Sequence, residues 1–338
     1  MTSSKPVPYD PQIAPTLKAQ GLDPAPPAPT LSTLPMMRTS LGALANHTHN
    51  FRNHPHLSHK EDQLIGPDGK TIALTIVAPT KKKTTGLRPG IFYLHGGGMI
   101  LGTQDFLLDG TFPWVEQLDA VLVSPDYRLA PEHQHPALLE DCWTALEWFV
   151  ERIPKLGIDP EKVMVAGHSA GGGLAAGIAL LARDREVKIK FCAQMLIYPM
   201  LDDRMITVSS EQMMDDGPWT GKLNIVAWEW YLGPKEERDG LKDVEYAAPA
   251  RMKDLSGLPP TFIDVGTAEP FRDEDINYAM RLLECGVKTE LHVYEGVYHG
   301  ADIWTPESDV MQACLSTRLN WLKRNFPSAV ESVAISSL

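Results

Sequence analysis

The sequence predicts an α/β fold: a mostly parallel central sheet flanked by helices, with a helical cap. Three observations carry that reading. From residue 89 onward, short apolar runs alternate with segments whose apolar residues recur at helical spacing. Ser169 sits between such a run and such a segment, with glycines on both sides. And between Tyr198 and Leu258 lie about 60 residues without a core strand, a length that compact domains rarely leave structureless.

In chain order, residues 1–35 are proline-rich, densest at Pro24–Pro29, and read as extended or linker-like. Short helical stretches flank them at Pro11–Gln20 and Leu31–Ala45. Residues 62–78 read as a β-hairpin turning at Pro67-Asp68-Gly69, with Thr71–Val77 alternating into a strand. Lys81–Lys83 read as a solvated turn. Strands follow at Ile91–Leu94, Ala120–Ser124, Val163–Ala166, Phe191–Tyr198, Thr261–Val265 and Thr289–Tyr294. Helices are expected at Leu138–Arg152, Gly172–Ala182, Ile276–Cys285 and Val310–Asn325. The strandless stretch holds Trp219, Trp228, Trp230 and Tyr231 and reads as a helical lid. The chain then divides into a first cap part at 1–50, a first core part at 51–202, a cap insertion at 203–247 and a second core part at 248–338.

Composition bounds the function. The 338 residues are enough for one large core plus a cap, without disulfide staples. A net charge of -12 offers no basic field to nucleic acid. The four cysteines, Cys142, Cys192, Cys285 and Cys314, show neither pairing nor metal spacing. The N-terminal residues contain no apolar leader, and no uncharged run approaches the roughly 20 residues that span a bilayer. The expectation is a soluble cytoplasmic protein with no membrane contact.

Ser169 belongs to Gly167-His-Ser-Ala-Gly-Gly172, a Gly-x-Ser-x-Gly run between strand and helix. In that context a tight turn exposes the hydroxyl as a nucleophile. A serine needs a base, and two histidines follow it. His292 falls inside a strand, whereas His299 lies in the following loop between glycines, so His299 is the expected base. The acid that orients it is sought after the strand Thr261–Val265, among Glu269, Asp273, Glu274 and Asp275. Glu269 lies nearest the strand end, with Pro270 expected to open the next helix. The other three would fall in a first helical turn, where acids complement the dipole. The run His95-Gly-Gly-Gly98 follows another strand. Gly96, Gly97 and Ala170 are the expected amide donors of an oxyanion hole, Gly98 permits the turn, and His95 holds the loop. Met99, Met213, Trp219 and Trp228 are candidates for an acyl pocket, or else plain core. His47, His49, His54, His56 and His59 crowd one stretch, but no third ligand type stands beside them before Glu61 and Asp62. They read as a polar segment, with no metal and no cofactor expected.

With these motifs in place, the chain resembles the hormone-sensitive-lipase family of α/β-hydrolase esterases over residues 60–325. The matching stretches are His95–Gly98, Asp126-Tyr-Arg-Leu-Ala-Pro-Glu132, Gly167–Gly172, Ala268-Glu-Pro-Phe-Arg-Asp-Glu274 and Tyr298-His-Gly300, in family order. Two departures stand out: many members carry Asp where this chain has Glu269, and an aromatic where it has Met99. The resemblance implies a serine carboxylesterase acting on small-molecule esters of short to medium acyl chains through an acyl-enzyme. It makes Asp126–Glu132 a scaffold of charges beneath the site. It also leaves open a homodimer through a late strand and helix. A lactonase or specialised-metabolite deacetylase would use the same residues. A non-catalytic small-molecule receptor of the same fold would lack part of the triad.

Overall fold

In the computed structural model, which describes residues 5–40, 51, 54–185 and 189–326, eight strands form one sheet. They are β1 (Leu57–Ile65), β2 (Thr71–Pro79), β3 (Arg88–Leu94), β4 (Val121–Pro125), β5 (Ile158–His168), β6 (Ala193–Ile197), β7 (Thr261–Gly266) and β8 (Thr289–Tyr294). Their spatial order is β1-β2-β4-β3-β5-β6-β7-β8. Strands β1 and β2 pair antiparallel, as do β2 and β4; every later pairing is parallel. The central strands β4, β6 and β7 are buried along their whole length, as strands covered on both faces must be.

The helices are α1 (Ala14–Ala19), α2 (34–40), α3 (Phe112–Leu118), α4 (Ala137–Leu156), α5 (Ala170–Asp184), α6 (Val208–Gln212), α7 (Gly221–Leu232), α8 (Val244–Ala247), α9 (Arg272–Glu284), α10 (Ala301–Trp304) and α11 (Asp309–Asn325). Two apolar cores result. Helices α4, α5 and α9 pack on one face through residues such as Leu146, Phe149, Leu174 and Leu282. On the other face Phe112, Trp114 and Val115 of α3 meet Trp321 and Leu322 of α11. Truncating one such leucine to alanine costs about 2–5 kcal/mol.

The hairpin extends beyond residues 62–78 to Leu57 and Pro79, and β5 begins at Ile158 rather than Val163. Polar residues such as Asp159, Glu161 and Lys162 hid the start of β5. Helix α3 had no counterpart in the sequence reading. The helix after β7 starts at Arg272, so Pro270 precedes it instead of opening it. No helix among the described residues is long and apolar enough to cross a membrane.

Candidate active site

Ser169 lies directly after β5, at the sheet's C-terminal edge. Its backbone takes φ 57° and ψ -123°, a region costly for a residue with a Cβ. The turn is held by Ser169 N–H donating to Ile197 (2.8 Å), and by Ser169 C=O accepting from Met200 (2.9 Å) and Gly173 (3.0 Å). Gly171 lets the helix start there: a Cβ on it would lie 2.1 Å from the Leu94 carbonyl oxygen. The same chain folding that closes β5 onto β6 therefore pushes the hydroxyl out.

His299 follows β8, and its Nε2 stands 2.9 Å from Ser169 Oγ. Its Nδ1 is 2.6 Å from Glu269 Oε2, so Nδ1–H donates to the carboxylate and Nε2 faces the hydroxyl as acceptor. Glu269, in the turn after β7, accepts Gly266 N–H on its other oxygen at 2.7 Å. Burial pushes its carboxyl above the ordinary glutamate range, while His299 and the Gly266 amide oppose that shift. His299 is wedged by Tyr198 and Phe271, with ring centroids 4.7 and 5.0 Å away.

The other acids sit elsewhere. Asp273 accepts Ser209 N–H at 2.7 Å and ties α6 to α9. Glu274 accepts the amides of Leu201 and Asp202. Asp275 is fully buried, its carboxyl oxygens without a hydrogen-bond partner among the described residues, and burial raises its carboxyl far above the usual range. His292 stays on β8, 2.9 Å from Glu290.

The loop after β3 curls over Ser169. A Cβ on Gly96 would lie 3.4 Å from Ser169 Cβ, and Gly97 lines the same cavity as Ser169. Gly98 faces Trp219, whose ring atom would stand 2.0 Å from a Cβ there. The N–H groups of Gly96, Gly97 and Ala170 have no acceptor among the described residues. His95 Nδ1–H donates to Gly96 C=O (2.8 Å), and Tyr127 O–H donates to His95 C=O (2.7 Å). Tyr127 stacks on the His95 ring at 4.1 Å.

Charges brace this loop from below and from the N-terminal arm. Arg128 forks onto Asp141 with two bonds of 2.7 Å. Arg38 of α2 forks onto Glu132 (2.8 Å twice) and also donates to the Ile100 and Ala130 carbonyls. The sequence reading missed Arg38, since its partner lies 94 residues away.

A cavity of about 180 Å³ holds Ser169 and His299. Leu22, Pro26, Pro27 and Met37 of the N-terminal arm line it, together with Pro218, Trp219, Thr220 and Leu223 from the strandless stretch. Of the expected pocket residues, Trp219 is there. Met99, Met213 and Trp228 are not among its walls and are packed away as core.

The family model described as alpha/beta hydrolase fold matches residues 91–303. The chain belongs to the α/β-hydrolase fold family. "Esterase LipI" of Mycobacterium tuberculosis is 38% identical over 251 residues, covering 73% of this chain and 76% of that protein. The "Arylacetamide deacetylase" of Bos taurus is 31% identical over 315 residues, covering 75% and 78%. The solved "Bacterial Heroin Esterase" superposes with a TM-score of 0.85 at 34% identity, covering 95% of this chain and 98% of that one. Within the α/β-hydrolases the chain falls with the hormone-sensitive-lipase esterases and is a carboxylic ester hydrolase.

In this hydrolase His54, His56 and His59 are not among the walls of Ser169's cavity. His47 and His49 lie outside the described residues. His54 and His56 both face Glu116 of α3, at 3.4 and 2.5 Å. Glu116 is the carboxylate that the sequence reading did not find beside them. His59 lies against Phe51, their rings tilted by 30° with centroids 4.6 Å apart.

Proposed function

We propose that the chain is a serine carboxylesterase whose nucleophile is Ser169, base His299 and acid Glu269. The observation that carries this reading is the unbroken hydrogen-bond chain from Ser169 Oγ through His299 to Glu269, opening into a cavity. His299 Nε2 takes the hydroxyl proton as Oγ attacks the ester carbonyl. The N–H groups of Gly96, Gly97 and Ala170 stabilise the resulting oxyanion. His299 returns the proton to the leaving alcohol, and water then releases the acid by the same route. Glu269 stays ionised and offsets the imidazolium charge; one proton moves, between Ser169 and His299.

The small cavity favours short acyl groups, roughly two to eight carbons, because walls penalise each methylene that does not fit. We read residues 1–50 and 203–247 as one cap over Ser169, since both contribute walls. The same machinery would serve a deacetylase, the activity in the name of the bovine relative. A cytoplasmic setting fits the four unpaired cysteines. A homodimer through β8 and α11 fits the terminal position of β8, which pairs with β7 alone in the sheet.

The test is kcat/KM across nitrophenyl esters from acetate to palmitate, with phosphonate labelling of Ser169. A peak among short chains and a labelled Ser169 support the reading. A maximum at long chains with activation at an oil–water interface would mean a true lipase, and absent labelling would mean a receptor.

A further inference from the structure

Away from the catalytic cavity, three ligating side chains converge where the chain enters β1: His54, His56 and Glu116 of α3. One ligand atom from each lies within 4.8 Å of those of the other two. His54 Nδ1 stands 3.4 Å, and His56 Nε2 2.5 Å, from the same carboxylate oxygen, Glu116 Oε1. The sequence offered imidazoles with no second ligand type beside them; α3 brings one from 60 residues beyond His56.

The backbone that carries these side chains is already fixed. His54 N–H donates to Phe51 C=O (3.0 Å), and His54 C=O accepts Leu57 N–H (2.9 Å) as β1 begins. His56 C=O accepts both the N–H (2.8 Å) and the hydroxyl (3.0 Å) of Thr80, just past β2. Glu116 sits inside α3, and the Lys83 ammonium is engaged by its main-chain oxygen at 2.8 Å. The His54 ring stands edge-on to Phe112 of the same helix, with centroids 5.0 Å apart. Binding an ion here requires side-chain rotations and little further ordering of the chain.

Two imidazoles and one carboxylate form a donor set for a first-row transition ion, and zinc fits it. Zinc bonds of about 2.0–2.1 Å to nitrogen and oxygen place tetrahedral ligands about 3.3–3.4 Å apart. The His54–Glu116 separation already has that length. His56 Nε2 must withdraw from Oε1 by about 0.9 Å, a small rotation for a side chain that is 54% exposed. Calcium and magnesium take oxygen donors and are poorly served by imidazole. The partial exposure of all three residues gives an ion a path in from solvent and leaves room for water as a fourth ligand. None of the three lines Ser169's cavity, so an ion here acts on the fold and not on the ester.

We propose that His54, His56 and Glu116 bind one divalent transition ion of the zinc type, which clips the chain leading into β1 onto α3.

The test uses the full chain without a purification tag, stripped with EDTA and dialysed free of it. Zinc chloride titrated into the protein in a calorimeter should bind saturably with a stoichiometry of one. At about 100 times the measured Kd, zinc should raise the melting temperature by about 3 °C or more. Magnesium at the same concentration should leave it unchanged. Glu116→Gln keeps the side chain's shape and loses its charge; His56→Asn removes one imidazole. Each should weaken zinc binding about 100-fold or more, since losing a ligand costs at least as much as losing its outer support. His47→Asn combined with His49→Asn should bind zinc as the wild type does. No saturable binding to the wild type would overturn the proposal. So would binding unchanged in both Glu116→Gln and His56→Asn, or binding lost in the His47/His49 double variant, which would put the ion elsewhere on the histidine tract. If Glu116→Gln does not fold, the wild-type titration and His56→Asn still decide.

Discussion

At the scale of single residues, the proposed site is a chain of two short hydrogen bonds around His299. Ser169→Ala removes the nucleophile while leaving the turn's backbone bonds in place. Its kcat should fall about 10⁴-fold or more with the melting temperature unchanged. Turnover near wild type would remove Ser169 from the mechanism. Glu269→Ala leaves His299 Nδ1–H without its acceptor, so kcat should fall about 10³-fold. Asp273→Ala breaks only a contact between α6 and α9. It should cost stability and little kcat, and comparing the two purified variants separates the roles. His299 and Ser169 were legible as candidates because each follows a strand in a glycine-flanked turn, a local pattern at the sheet's edge. Glu269 was legible by position alone. Asp273 and Glu274 show why position was needed: three further acids within six residues of it bind backbone amides or lie buried in the next helix.

At the scale of elements, the N-terminal arm is joined to the glycine loop by Arg38, which bonds Glu132 and two carbonyls at once. Leu22, Pro26 and Pro27 ride on that arm into the catalytic cavity. Arg38→Ala should raise KM for short nitrophenyl esters more than it lowers kcat, and should speed proteolytic nicking before residue 41. An unchanged KM would mean the arm seats without Arg38. Deleting residues 1–45 should abolish activity or shift the acyl-length optimum upward, since four walls of the cavity leave with it. An unchanged profile across acetate to palmitate would show that the arm is no part of the pocket. The helical stretches of the arm were readable as helices. Their seat was not, because the residues that anchor them lie far along the chain.

At the scale of the whole molecule, stability carries a pH signature from Asp126. Partial burial just after β4 raises its carboxyl from 3.8 to about 6. Between those values the folded chain keeps a proton that the unfolded chain has lost. Folding therefore weakens as pH rises through that window, and the penalty is complete above it. Asp126→Asn should gain stability relative to wild type progressively from pH 4 to about 6 and hold the gain at higher pH, measured by urea unfolding. A difference that does not vary with pH would refute the buried-carboxyl account.

The sequence by itself determined the fold class, the strand-turn contexts and the choice of the three residues proposed for the proton path. These are local: apolar periodicity and glycine at a tight turn act over a few neighbours, so a single stretch of chain records them. Tertiary structure alone decided what meets across the sheet and around the catalytic cavity. Met99, Met213 and Trp228 look like Trp219 in sequence, yet only Trp219 reaches the catalytic cavity. Glu116 joins His54 and His56 from 62 and 60 residues away. Such meetings depend on packing summed over many elements, and no local pattern encodes which distant side chain will fill a given space.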